Sequence, residues 1–148
     1  MDEALVEAAR AAAEGEVPAG AVLADPEGRL AGRGRNQVLT LADPTAHAEI
    51  LAIRAAARAV GNYRLPGHLL VCTLEPCPMC LAAAIHARVG RIIFGAPEPR
   101  WGAAGSLLNL AETPGLNHRL LVRGGLKAEA GRRLITSFFQ GRRGAGRL

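Results

Sequence analysis

Aromatic side chains are scarce in this chain: one tryptophan, one tyrosine and three phenylalanines among 148 residues. A core of stacked rings is excluded, so the interior must be aliphatic. Long apolar runs are missing too. Stretches such as Leu69-Leu70-Val71-Cys72 fall far short of the roughly 20 residues that a membrane span requires, and no spanning segment is expected. The amino terminus, Met1-Asp2-Glu3, is acidic where a secretory signal is basic. No apolar region with a small-residue cleavage site follows it, so the expected location is the cytoplasm. Three cysteines are too few and too odd in number for a disulfide framework. Two of them form a Cys-x-x-Cys, which in a reducing compartment points to metal or redox work.

What is present fits one domain spanning residues 1–148. The length suits a single hydrophobic core, and 49% hydrophobic with 21% charged residues is an ordinary globular composition. Charge is unevenly spread. The net charge is +5, yet residues 1–118 carry ten Lys/Arg against twelve Asp/Glu, while residues 119–148 carry eight against Glu129 alone. The basic segment, with its helix and tail from about residue 126, reads either as a phosphate-backbone contact or as a solvated end.

Apolar spacing predicts a first amphipathic helix from Ala4 to Gly15. Ala19–Ala24 and Arg29–Gly34, joined by Asp25-Pro26-Glu27-Gly28, predict a hairpin. Asp43-Pro44-Thr45 opens a helix that runs through Val60 to Gly61-Asn62, and Leu69–Leu74 reads as a strand buried on both faces. Pro76 and Pro78 suit a helix start, with the helix continuing to Gly90. Arg91–Gly95 is a fourth strand, Ser106 caps a short turn through Leu110, His118–Arg123 is a fifth strand, and a last helix covers about Leu126–Phe139. Strands alternating with helices imply an α/β fold, a three-layer α/β/α sandwich around a five-stranded mixed sheet.

The chemistry concentrates in two segments, His47-Ala48-Glu49 and Pro76-Cys77-Pro78-Met79-Cys80. They supply three zinc ligands, His47, Cys77 and Cys80, and a separate carboxylate, Glu49. Zinc takes nitrogen and sulfur donors, and a catalytic site keeps its fourth position for water. Residues two apart on a helix diverge by about 200°, so His47 and Glu49 can share a target only off the helix end. At the start of the next helix, exposed amides favour thiolates at Cys77 and Cys80. Two thiolates and one imidazole leave zinc near neutral, so its water needs a proton acceptor, and Glu49 suits that role. His-x-Glu followed by Pro-Cys-x-x-Cys is the signature of zinc deaminases of nucleobases. Cys72 reads either as a small buried hydrophobe or as a fourth ligand that would close the site. His68, His86 and His118 have no such partners and read as structural.

Segments well beyond the zinc motif carry a resemblance. They include Gly15-Glu16-Val17-Pro18-Ala19-Gly20-Ala21-Val22, Asn36, Asp43 to Ile50, Thr73 to Cys80, Gly102-Ala103-Ala104-Gly105-Ser106, Asn117-His118-Arg119, and Phe138-Phe139 with Arg142-Arg143. Across nearly its whole length the chain resembles the bacterial tRNA-specific adenosine deaminase family, whose sheet is of the cytidine deaminase type. The resemblance implies hydrolytic deamination of the wobble adenosine of a tRNA anticodon stem-loop to inosine. It further implies one Zn2+ per subunit and a homodimer. By the same resemblance Asn36 bonds the flipped base or its sugar, Val17 forms pocket wall, and Arg142 of the basic helix contacts substrate. Glu98 stands where the family usually has an aspartate approaching the nucleotide backbone. Trp101 either stacks on a loop nucleotide or packs its own loop. Two other readings remain open at this stage: a deaminase of a free base such as guanine or cytosine, and a non-catalytic zinc-stabilised RNA-binding module closed by Cys72.

Overall fold

The structure, a computed structural model, describes residues 1–145. The last three residues of the basic segment, Arg147 among them, lie outside the described residues. Helix α1 (Asp2–Ala13) buries Ala4, Glu7, Ala8 and Ala11 along one stripe and ends before Gly15, as its spacing predicts. Strands β1 (Gly20–Ala24) and β2 (Leu30–Arg35) form the expected antiparallel hairpin. Its turn is fixed by Asp25, whose Oδ1 accepts the amides of Glu27 and Arg29 at 3.0 and 2.9 Å. A single helical turn, α2 (Val38–Leu41), precedes helix α3 (Ala48–Val60), which Gly61 closes in the left-handed conformation at φ 74. Strand β3 (Leu69–Leu74), helix α4 (Pro78–His86) and strand β4 (Arg91–Ala96) make a parallel β-α-β unit. A 3-10 turn at Leu110–Glu112, strand β5 (Leu121–Arg123) and helix α5 (Ala128–Ala145) complete the order.

The five strands run β2-β1-β3-β4-β5, antiparallel up to β3 and parallel from β3 to β5. Alternation along the central strands divides the core. Ala21, Leu23, Leu70 and Cys72 face α3 and α4, while Val22 and Val71 face α1 on the other side, where α5 also packs. The result is the expected three-layer sandwich. With few aromatics the layers lie close. Ala48, Ala52 and Ala56 of α3 are buried against β2, whose inward positions are Gly32 and Gly34. A methyl group added at Gly34 would sit 2.6 Å from the Ala52 nitrogen and press on the Ala48 carbonyl.

Several boundaries differ from the sequence reading, each for a visible reason. Helix α3 starts at Ala48, because Asp43 turns its carboxylate onto the amide and hydroxyl of Thr45 in a separate turn. Helix α4 stops at His86, ahead of Arg88 with its φ of 60. Ser106 caps no helix. Its amide and hydroxyl both bond Glu75, Ala104 bridges to Asn109, and helical geometry begins only at Leu110. His118 is outside β5, its Nε2 lying 2.8 Å from the Val89 carbonyl. Lys127, with φ 52, delays α5 to Ala128, and the helix then continues past Phe139 to Ala145. Among the described residues no helix is long and apolar enough to cross a membrane.

The Gly34 contact yields the first test. Gly34→Ala overpacks the start of α3 and is expected to cost about 1–3 kcal/mol in urea unfolding. Because Ala48 adjoins His47, the same change is expected to weaken zinc binding, whereas Gly28→Ala, at an open turn, is expected to leave it unchanged.

Candidate metal centre and active site

Helices α3 and α4 begin on the residues that carry the chemistry. His47 is the N-cap of α3 and Cys77 the N-cap of α4, both in extended backbone conformation, and Pro78 takes the first helical position. Neither N-cap side chain makes a capping hydrogen bond to its helix. Each is left free to point off the helix end, which satisfies the geometric condition read from the sequence. Cys80, three residues beyond its N-cap, points the same way.

His47 Nδ1 lies 3.6 Å from Cys77 Sγ and 3.5 Å from Cys80 Sγ. All three ligand atoms fall within 4.8 Å of one another. Zinc bonds of about 2.0–2.3 Å at tetrahedral angles give nitrogen–sulfur edges of about 3.6 Å, so the triad fits one zinc ion. The electrostatics agree. A hydrogen bond from Cys80, opposed by burial and helped by His47, brings the Cys77 thiol down to about 4. The Cys77 contact in turn raises the His47 imidazole against burial. As the donor to Cys77, and buried, the Cys80 thiol is pushed up; a metal ion would displace its proton. Cys72 is outside the triad among the described residues. Its Sγ points to the Ile93 carbonyl at 3.9 Å, and burial pushes its thiol well up. It is therefore a core residue, and the closed-shell reading fails.

Glu49 lies in the first turn of α3, only 7% exposed, and its Oε2 lies 3.5 Å from the Cys80 sulfur. Burial pushes its carboxyl above the ordinary value. His47, Glu49 and Cys77 open onto a cavity of about 850 Å³. All four residues implied by resemblance line it: Val17, Asn36, Glu98 and Arg142. Val17 is 37% exposed at the rim. Glu98 turns its carboxylate onto the Arg100 amide at 2.9 Å. Arg142 stacks its guanidinium 4.7 Å over the Phe138 ring and donates to the Gly15 carbonyl at 2.8 Å, so the basic helix reaches the cavity mouth. Trp101, 65% exposed, stands on the wall beside Glu98.

Two buried carboxylates escaped the sequence reading as site residues, although both sit inside the segments that carried the resemblance. Glu75, directly before Pro76-Cys77, is treated below. Glu16 is 1% exposed, accepts the Thr40 amide at 2.7 Å, and takes the Asn36 side-chain amide at 3.2 Å. It fixes both the Asn36 side chain and α2. A charged residue between Gly15 and the apolar Val17-Pro18 was the available signal.

A zinc-sized His/Cys/Cys triad with a buried glutamate, at the carboxyl end of a parallel strand, defines a hydrolytic metal site of the nucleobase-deaminase class. The family model for the cytidine and deoxycytidylate deaminase zinc-binding region matches residues 1–96, and the chain belongs to that family. A tRNA-specific adenosine deaminase of Haemophilus influenzae is 44% identical over 143 residues, covering 97% of this chain and 83% of that protein. A tRNA(Ile)-lysidine synthase of Deinococcus deserti is 46% identical over 140 residues, or 95% of this chain, which spans only 26% of that longer protein. Among solved structures, one from a study of A-to-I editing by tRNA:A34 deaminases at the wobble position of transfer RNA superposes with a TM-score of 0.87. It is 44% identical, covering 90% of this chain and 96% of that one. The guanine deaminase of Nitrosomonas europaea gives 0.78 at 25% identity, over 93% of this chain and 81% of that one.

Metal analysis after dialysis is expected to find one zinc per chain, lost in His47→Ala, Cys77→Ala and Cys80→Ala and retained in Cys72→Ala. Glu16 sets a pH dependence. Burial opposes its ionisation, but the amides of Thr40 and Leu39 outweigh burial and hold the carboxyl below its ordinary 4.5. A depressed carboxyl stabilises the fold above its unfolded value and loses that contribution as pH falls through the folded one. Glu16→Gln is therefore expected to flatten the fall in Tm between about pH 5 and pH 3 relative to the parent protein.

Proposed function

We propose that the protein deaminates the wobble adenosine of a tRNA anticodon loop to inosine by hydrolysis. The observation that carries this reading is that two members of the triad, His47 and Cys77, line one cavity with Glu49 and an arginine from the basic helix. In the proposal His47, Cys77 and Cys80 hold the zinc ion. Zinc bound there supplies the Lewis acidity that makes water a nucleophile near neutral pH.

Glu49 performs the proton work. Its buried carboxylate takes a proton from the attacking water and delivers it to the ring nitrogen. As the carbon–nitrogen bond breaks, it takes the remaining proton of the newly added hydroxyl and passes it to the amino group, so that the carbonyl of inosine forms and ammonia leaves. Asn36, oriented by Glu16, keeps its amide oxygen for the base or its sugar. Val17 walls the pocket, and Glu98 and Arg142 meet the flanking backbone. An anticodon loop suits the site because its bases are already outside a duplex, which lowers the cost of extrusion. Arg132, Arg133, Arg142 and Arg143 give α5 the charge to follow a phosphate backbone.

The proposal extends to residues 1–148 acting as one deaminase domain, to a homodimer, and to work in the cytoplasm. Exposed Leu107 and Leu108 beside the cavity wall supply apolar surface for a second subunit, and sedimentation tests the dimer.

The function is tested by incubating the protein with an ACG-anticodon tRNA and, in parallel, with free adenosine, cytosine and guanine. Inosine at the wobble position alone supports the reading; turnover of a free base without tRNA editing overturns it in favour of nucleobase salvage. Glu49→Gln is expected to lower turnover by about 10²–10⁴-fold or more with zinc content unchanged. Persistent activity in that variant would remove Glu49 from its role.

A further inference from the structure

The cavity wall from Pro97 to Ser106 contains no helix and no strand beyond the single Ala104 bridge, yet it carries Glu98 and Trp101. A segment without regular structure must find partners for its amides elsewhere. Here one side chain serves three of them, from both ends of the segment. Glu75 is 4% exposed, and its Oε1 accepts the amides of Ala104 and Ser106, each at 3.0 Å. Its Oε2 accepts the Glu98 amide at 3.0 Å and the Ser106 hydroxyl. Next to it the Pro76 carbonyl takes the Ala103 amide at 2.9 Å. Gly102 leaves the room for this arrangement, since a methyl group there would strike the Glu75 carboxyl and come 2.5 Å from the Glu98 carbonyl. The carboxylate thus has both oxygens doubly engaged, with all four bonds going to one wall.

Glu75 stands two residues before Cys77, so the wall and the ligand-bearing segment share one anchor. We propose that Glu75 is a positioning residue that fixes the 97–106 wall and, through Glu98 and Trp101, sets the grip on the nucleotides flanking the reacting base. The statement about nucleotides rests on the function proposed above; the anchoring of the wall does not. Only a charged carboxylate offers four acceptor positions. The amide of a glutamine turns one end into a donor facing donor groups, so at least one bond is lost and a buried donor is left opposed.

Glu75→Gln is the test. Trp101 is the only tryptophan of the chain, so its fluorescence reports on the wall directly. The expected result is lower Trp101 anisotropy and faster acrylamide quenching, with zinc content at the parental level. On an anticodon stem-loop, KM is expected to rise about tenfold while kcat stays within about threefold, the pattern of lost binding shared by ground and transition states. A general loss of structure would instead lower kcat and zinc together, and that outcome overturns the positioning role. Unchanged Trp101 signals overturn the anchoring itself. Should Glu75→Gln fail to fold, Ser106→Ala, which removes one of the four bonds, is expected to shift the same Trp101 signals and KM by a smaller factor, and no shift there overturns the proposal. If the parent protein edits no RNA, the function falls while the Trp101 measurement still decides whether Glu75 anchors the wall.

Discussion

The close seating of α3 on β2 is the constraint on which the site depends. Glycine in the strand and alanine in the helix bring the two backbones almost into contact, and the residue directly before the first of those alanines is His47. Such packing tolerates no spare methyl group, so the start of α3 has one available position. The start of α4 is fixed differently, by β3 running straight into Pro76 and by Pro78 at the first helical turn. Two independently fixed helix ends therefore meet at one point, and the metal-binding triad is the product of that meeting.

Around this rigid floor the walls are held by long-range polar contacts to buried carboxylates. Glu16 holds Asn36 and α2, and Glu75 holds the segment from Glu98 to Ser106. The last helix adds a third connection when Arg142 meets the carbonyl of Gly15. Residues from near both ends of the chain thus share one rim, although the triad itself comes from the middle. The division is reasonable chemically: the reacting centre needs fixed distances, whereas an RNA loop needs a wall of adaptable side chains.

Much of this was legible in the sequence because it rests on local signals. The hairpin, the buried β3 and the glycine stops of α1 and α3 follow from periodicity and turn chemistry. The triad and Glu49 follow from spacing and from the donor preferences of zinc. What was not legible depends on partners distant in sequence. Ser106 looks like a helix cap by local rules, but a carboxylate thirty-one positions earlier claims its amide and hydroxyl. Similarly, the start of α5 is set by the backbone at Lys127, and α2 owes its place to Glu16 accepting the Thr40 amide. Asn36, Val17, Glu98 and Arg142 came only from resemblance, since nothing in their local spacing marks them as neighbours.

Helix starts are normally occupied by serine, threonine, aspartate or asparagine, whose side chains satisfy a first-turn amide and contribute about 1 kcal/mol. This protein puts a histidine and a cysteine there, and neither side chain makes a capping hydrogen bond. Stability has been set aside at two positions so that chemistry can occupy them. Substitution by the common capping residues would strengthen each helix while dismantling the triad. Selection for thermal robustness alone would accordingly be drawn to the two residues that the reaction can least spare.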